Sequence, residues 1–154
     1  MARAGFTAIT SGALRFGRDG QWYTDDEVIG NPAICRLFSR ALQVSADGRA
    51  RLELGGEKAD VIIEDTPWVV TAVEGTPASG FTVVLNDDSR EALDATSLAI
   101  GAAHVLYCRV KGGPHRARFL RPAYYALMAH VEPGPGGTFA LRAGERRVTL
   151  PPAR

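Results

Sequence analysis

The chain has 154 residues, 45% of them hydrophobic and 23% charged, with a formal net charge of +1. That length holds one ordinary domain or two small ones, buries roughly two thirds of its unfolded surface on folding, and with this composition excludes an intrinsically disordered chain. Near-neutral charge argues against a dedicated nucleic-acid binder, and no run approaches the roughly 18 apolar residues of a membrane span.

The stretch Met1 to Gly17 carries Arg3 and Arg15, but its apolar residues are scattered among Thr, Ser and Gly instead of forming a signal core, so a reducing cytoplasm is the expected compartment. Gly17-Arg18-Asp19-Gly20 between Arg15-Phe16 and Gln21-Trp22-Tyr23 predicts a hairpin, because Gly tolerates positive φ. Asn31 then offers a capping oxygen, and Pro32 suits a first helical turn. Ile34, Leu37, Phe38, Ala41 and Leu42 recur at helical spacing, which predicts a helix with Leu37 inward. After Asp47-Gly48, Ala50, Leu52 and Leu54 alternate with Arg51 and Glu53 as a half-buried strand. Gly55-Gly56 returns the chain into Ala59, Val61 and Ile63, and Pro67 predicts a strand break before Trp68-Val69-Val70.

Gly75-Thr76-Pro77-Ala78-Ser79-Gly80 is rich in turn formers and reads as a connector, dividing the chain into an N-terminal subdomain, 1–76, and a C-terminal one, 77–154. Charge changes sign there: 8 basic and 11 acidic residues precede the boundary, and 10 basic and 6 acidic follow it. Phe81–Leu85 and Glu91–Asp94 flank one turn, Asn86 to Ser89, and Val105–Val110 and Arg116–Leu120 flank another, Lys111 to Pro114. Pro122 fits a second helix with Tyr124, Leu127, Met128 and Val131 as its stripe and Tyr124 packed in the core. Pro133 to Gly137 stops it, Phe139, Leu141 and Ala143 alternate as a strand, Val148 and Leu150 close the last one, and Pro151 to Arg154 are expected to fray. Cys35 and Cys108 read as small core residues.

The order Pro-Ala, apolar stripe, turn, alternating strand, Gly-Glu turn occurs twice, starting at Pro32 and at Pro122, with an offset of about 88 to 90 residues. Each half therefore reads as hairpin, helix, hairpin. The expected class is α+β: two small subdomains related by internal duplication, each a mostly antiparallel sheet with one helix.

Catalytic and cofactor signatures are absent. His104, His115 and His130 lack metal spacing and a nucleophile elbow, and the Gly-rich segments lack the P-loop Lys-Ser/Thr pair. Neighbouring Glu64 and Asp65 on an extended chain point to opposite faces and are poorly placed to share a substrate. Glu57 and Glu145 recur in matching turns and read as structural. The strongest constellation is basic: Arg109, Lys111, Arg116, Arg118 and Arg121, with Tyr124 and Tyr125 following at the helix start. Guanidinium forks suit carboxylate and phosphate groups.

The blocks Arg18-Asp19-Gly20-Gln21-Trp22-Tyr23, Arg36-Leu37-Phe38, Glu57-Lys58, Ile63-Glu64-Asp65-Thr66-Pro67-Trp68 and then Arg118, Arg121 and Tyr124-Tyr125 resemble the bacterial domain of unknown function 1285 (DUF1285) family. They span roughly residues 15 to 130. The resemblance implies a two-part α/β structure with repeated motifs and a suggested role in signal transduction, with no established activity. Gly55-Gly56, Trp68 and Arg116 depart from the family pattern, and Arg116 puts positive charge where an acidic residue is common.

The expected ligand site combines Asp65, Trp68, Arg118, Arg121 and Tyr125, with no catalytic residue, metal or cofactor. The expected function is a non-catalytic binding or regulatory module, recognising a small anionic ligand or a protein segment between its halves, without nucleic-acid or membrane partners. An enzyme with an unrecognised site at that junction, or a structural adaptor for a protein partner, are the alternatives.

Overall fold

A computed structural model describes residues 13–150. The expectations for the N-terminal stretch before Ala13 and for Pro151 to Arg154 lie outside the described residues. The chain divides into two compact units, Met1–Pro67 and Trp68–Arg154.

In the first unit β1 (Leu14–Phe16), β2 (Trp22–Thr24) and β3 (Glu27–Val28) form one antiparallel meander, and α1 (Pro32–Ala41) leads into a second, β4 (Leu42–Val44), β5 (Ala50–Leu54) and β6 (Glu57–Ile63). The meanders join through a parallel pairing of β1 with β6, giving one six-stranded sheet ordered β3-β2-β1-β6-β5-β4. The Asp19-Gly20 turn forms as expected, with Gly20 at φ 80 and Phe16 opposite Trp22. Asn31 caps α1, its Oδ1 accepting from the Ala33 and Ile34 backbone amides at 2.9 and 3.4 Å. β6 ends at Ile63 and β7 starts at Trp68, so the expected strand break falls in the segment that contains Pro67.

The second unit has β7 (Trp68–Thr76), β8 (Gly80–Leu85), β9 (Arg90–Ala92), β10 (Ala99–Ile100), β11 (Leu106–Arg109) and β12 (Arg116–Phe119). Their order, β10-β11-β12-β7-β8-β9, is the first sheet's order read from the other edge, with β7 and β12 parallel as β1 and β6 are. The ladders match in register: Leu14 opposite Val61 corresponds to Trp68 opposite Ala117. The bond from Glu64 N to the Phe16 carbonyl corresponds to that from Leu120 N to the Val70 carbonyl. α2 (Arg121–Met128) follows, then a separate three-stranded sheet of β13 (Glu132–Pro133), β14 (Phe139–Ala143) and β15 (Arg146–Leu150).

The two subdomains are α+β, and the repeat exists at two levels. The helix-plus-meander read from Pro32 and Pro122 recurs: Ala50 pairs with Val61 as Phe139 pairs with Leu150, and both hairpins close on two-residue turns, Gly55-Gly56 and Gly144-Glu145. The second sheet, however, is completed by β10–β12 and not by that later meander. A short 3-10 turn, Ala95–Ser97, stands where the first unit has its helix. The hairpin, helix, hairpin order holds in both units, as β11–β12, α2 and β14–β15 in the second, where the β7–β9 meander precedes it. The boundary expected at 76/77 falls inside the β7–β8 hairpin, where Thr76 faces Gly80. A Cβ on Gly75 would meet the Gly80 carbonyl at 2.2 Å, so the Gly-rich stretch is a turn requirement.

The first core gathers Phe16, Trp22 and Phe38, with ring centroids 5.1 and 5.5 Å apart along the series. The Trp22 indole N–H donates to the buried Ser39 hydroxyl at 3.0 Å. This bond corrects the expected helical phase. α1 turns Phe38 and Ser39 inward and leaves Leu37 43% exposed, because a buried indole N–H needs an acceptor more than the core needs one further leucine. α2 follows expectation, with Leu127 buried, although Tyr124 is only half-buried and stacks edge-on against Tyr125. Both cysteines are free. Cys108 is buried as expected, its thiol pushed up to about 12 by desolvation, whereas Cys35 is half-buried. No described helix is long and apolar enough to cross a membrane.

Candidate functional site

The basic residues of the second unit are sorted by strand geometry. Tyr107 and Arg109 on β11, and Arg116 and Arg118 on β12, share one face of the sheet, while Leu106, Cys108, Ala117 and Phe119 are buried on the other. Arg109 lies directly opposite Arg116, and Tyr107 opposite Arg118. Because Val110 N donates to the His115 carbonyl in the next pair, Arg109 and Arg116 occupy a non-hydrogen-bonded position, where side chains stand closest. Like charges placed this way are unfavourable. The Arg116 guanidinium is held 4.3 Å above the Tyr107 ring, and the Arg109 amide donates to the Ser97 hydroxyl at 2.8 Å. Arg109 also contributes to the low Asp94 carboxyl, which is held down first by the Thr96 hydroxyl.

The turn between β11 and β12 is fixed by Lys111. Its ammonium donates to Asp87 at 2.7 Å and to Ser89 at 3.1 Å, and lies 5.4 Å from the Trp68 ring centroid, while its backbone amide donates to the Glu91 carboxylate. Lys111, counted with the anion-binding cluster in the sequence, is thus committed to a structural ion pair. Burial alone would raise the Asp87 carboxyl, but hydrogen bonds from Lys111 and Ser89 outweigh it and hold the group below its ordinary range. Lys111→Met is expected to lower stability by about 1–3 kcal/mol at neutral pH, nearer the lower figure because the lysine reaches solvent. A depressed folded-state pKa stabilises above the unfolded carboxylate value of about 3.9 and is lost as pH falls through the lower one. Urea unfolding should therefore show the wild-type advantage in full near pH 7 and shrinking below about pH 4.

The expected site residues of the second unit are distributed over both faces of its sheet and over α2. Asp65 lies in the first unit, half-buried in the bend after β6. Trp68 opens β7 on the buried face with Ala117, 5.3 Å from the His115 ring, whereas Arg118 points from the opposite face of the same sheet. Arg121 and Tyr125 are exposed one helical turn apart on α2, Tyr125 by 63%. Tyr107, Ser97 and Asp87 were not singled out from the sequence. The alternation Tyr107-x-Arg109 against Arg116-x-Arg118 was the available signal for Tyr107.

In the first unit the family-like blocks meet through Glu64, which accepts from the Arg18 backbone at 2.9 Å, from Arg18 Nε at 3.0 Å and from Arg15 at 3.2 Å. Those bonds, the Arg18 amide first, hold its carboxyl low. Arg15 also stacks 4.0 Å over Tyr23, whose hydroxyl donates to Asp19. Among the described residues no three His, Cys, Asp or Glu side chains are grouped to hold a metal ion.

The chain has a DUF1285-like fold: it is 26% identical to a DUF1285 family protein from Silicibacter pomeroyi DSS-3, with a TM-score of 0.68 over 91% of this chain and 79% of that one. A DUF1285 family protein from Shewanella baltica OS155 shares the fold at 19% identity, with a TM-score of 0.60 over 77% of this chain and 92% of that one. No protein-family model matches the sequence, and no curated protein matches it either.

Proposed function

We propose that this protein is a non-catalytic binding or regulatory module that takes a small anionic ligand on the arginine face of β11–β12. One observation carries the reading: Arg109 and Arg116 are set directly opposite each other at the closest cross-strand position, with Arg118 beside them and Tyr107 as a platform. An anion between the two guanidiniums offsets the repulsion that the bare pair imposes and accepts bidentate, charge-assisted bonds. The turn above the pair is fixed by Lys111, so ligand binding orders little further chain. A role in signal transduction and a reducing cytoplasmic location belong to the same reading, the latter supported by two free cysteines.

Thermal shift in low-salt buffer with phosphate, pyrophosphate and citrate tests it. Wild-type protein is expected to gain up to about 2.7 kcal/mol at a hundredfold excess over Kd. The double variant Arg109→Ala, Arg116→Ala should fold as well as the parent without ligand and lose the gain. Equal responses from parent and variant would remove the site.

A further inference from the structure

A second candidate site lies in the first unit, independent of the arginine face. A cavity of about 450 Å³ opens beside β4, the edge strand of the first sheet, lined by Gln43, Ser45, Arg49, Arg51 and Asp60 with Val44 and Ala50 as its apolar part. Its volume lies within the 300–1,000 Å³ usual for small-molecule sites.

Register explains how the polar groups converge. Gln43 on β4 faces Arg51 on β5, and Arg51 faces Asp60 on β6, so an amide, a guanidinium and a carboxylate cross three neighbouring strands in one row. The row follows the spacing of the strands, roughly 4.8 Å per step. The second sheet places Arg109 and Arg116 at the positions equivalent to Arg51 and Asp60, since β1–β6 matches β7–β12 and β5–β6 matches β11–β12 in register there. One scaffold position is thus cationic on both strands in the second unit and of mixed sign in the first.

The charges of the cavity are not all neutralised internally. Arg51 is turned to Glu53 at 2.9 Å, and the Ser45 hydroxyl is committed to Asp47 and to the Arg49 carbonyl. Arg49 adds to the attraction that lowers the Asp47 carboxyl, after the Ser45 and backbone hydrogen bonds. Among the described residues, however, neither the Arg49 guanidinium nor the Asp60 carboxylate forms a side-chain hydrogen bond or ion pair. The cavity therefore holds one cation and one anion that make no direct side-chain bond, Arg49 being attracted to Asp47 only at longer range. A simple anion satisfies the first and is repelled by the second, and a simple cation meets the reverse.

We infer that this cavity binds a small zwitterion of the α-amino-acid class, its carboxylate on Arg49 with Arg51 behind it and its ammonium on Asp60. Gln43 supplies an amide that donates and accepts beside the row.

The test is calorimetry and thermal shift of the whole protein with each of the common L-amino acids at millimolar concentration. Each amino acid that binds is paired with its des-amino acid and its decarboxylated amine. At least one amino acid should raise the melting temperature, while its two single-charge analogues bind about tenfold more weakly or worse. Asp60→Asn and Arg49→Gln, both exposed substitutions, should leave the unliganded melting temperature unchanged and weaken binding by about tenfold each. Binding of the des-amino acid as tightly as the amino acid would make the cavity an anion site and overturn the inference. So would a full response from Asp60→Asn, or the failure of every amino acid to bind.

Discussion

Trp22→Ala is expected to cost about 3–5 kcal/mol of unfolding free energy, the range for truncating a buried tryptophan. The indole is 1% exposed, touches Phe16 and Phe38, and holds β2 to α1 through Ser39. Ser39→Ala removes far less volume but leaves the indole N–H buried without an acceptor, which costs about 1–3 kcal/mol. Trp22→Phe keeps the ring contacts and loses only the hydrogen bond and part of the volume, so it should fall between parent and Trp22→Ala. Urea unfolding of the three variants checks the order. A Ser39→Ala protein as stable as the parent would show that the hydrogen bond does not fix the phase of α1.

The second large effect separates two leucines that look alike in the sequence. Leu127 is fully buried on α2, which packs against β7, so Leu127→Ala should cost about 2–5 kcal/mol. Leu37 at the corresponding place on α1 is 43% exposed, and Leu37→Ala should cost less than about 1 kcal/mol. The same thermal or urea unfolding assay reads both. Similar losses from the two would mean that Leu37 is buried and that the helix is turned as its apolar spacing alone suggests.

These contrasts mark how far local sequence carries. Asp19-Gly20, Asn31-Pro32 and the alternation of Ala50, Leu52 and Leu54 each specify a turn, a cap or a strand through interactions within a few residues, and each formed as expected. Ser39 shows why the helix phase was not legible: its burial depends on Trp22, seventeen residues away, and no apolar periodicity records a partner's need for an acceptor. The parallel joins of β1 to β6 and β7 to β12 were hidden for the same reason. Gly75 to Gly80 misled because linkers and tight hairpins draw on the same residues, and only the close approach of Gly75 to Gly80 distinguishes them.

The candidate site was partly legible. Arg109, Arg116 and Arg118 stood out by charge, and strand alternation placed Arg116 and Arg118 on one face. Pairing register then put Arg109 beside them and withdrew Lys111, whose partner Asp87 sits on another hairpin. Trp68 was drawn into the expected set by its place in a family-like block, and the structure gives it a packing role against His115 and Lys111. The Glu64 bonds to Arg15 and Arg18 account similarly for two blocks of the resemblance as a structural tie within the first unit.

The most direct measurement is calorimetric titration of pyrophosphate into wild-type protein and into Arg116→Asp, which gives the second sheet the mixed-sign pair of the first. The arginine-face account predicts saturable binding to the parent that weakens steeply with added salt, and none to Arg116→Asp, with both proteins equally folded by circular dichroism. Binding of equal affinity to the two proteins would contradict it.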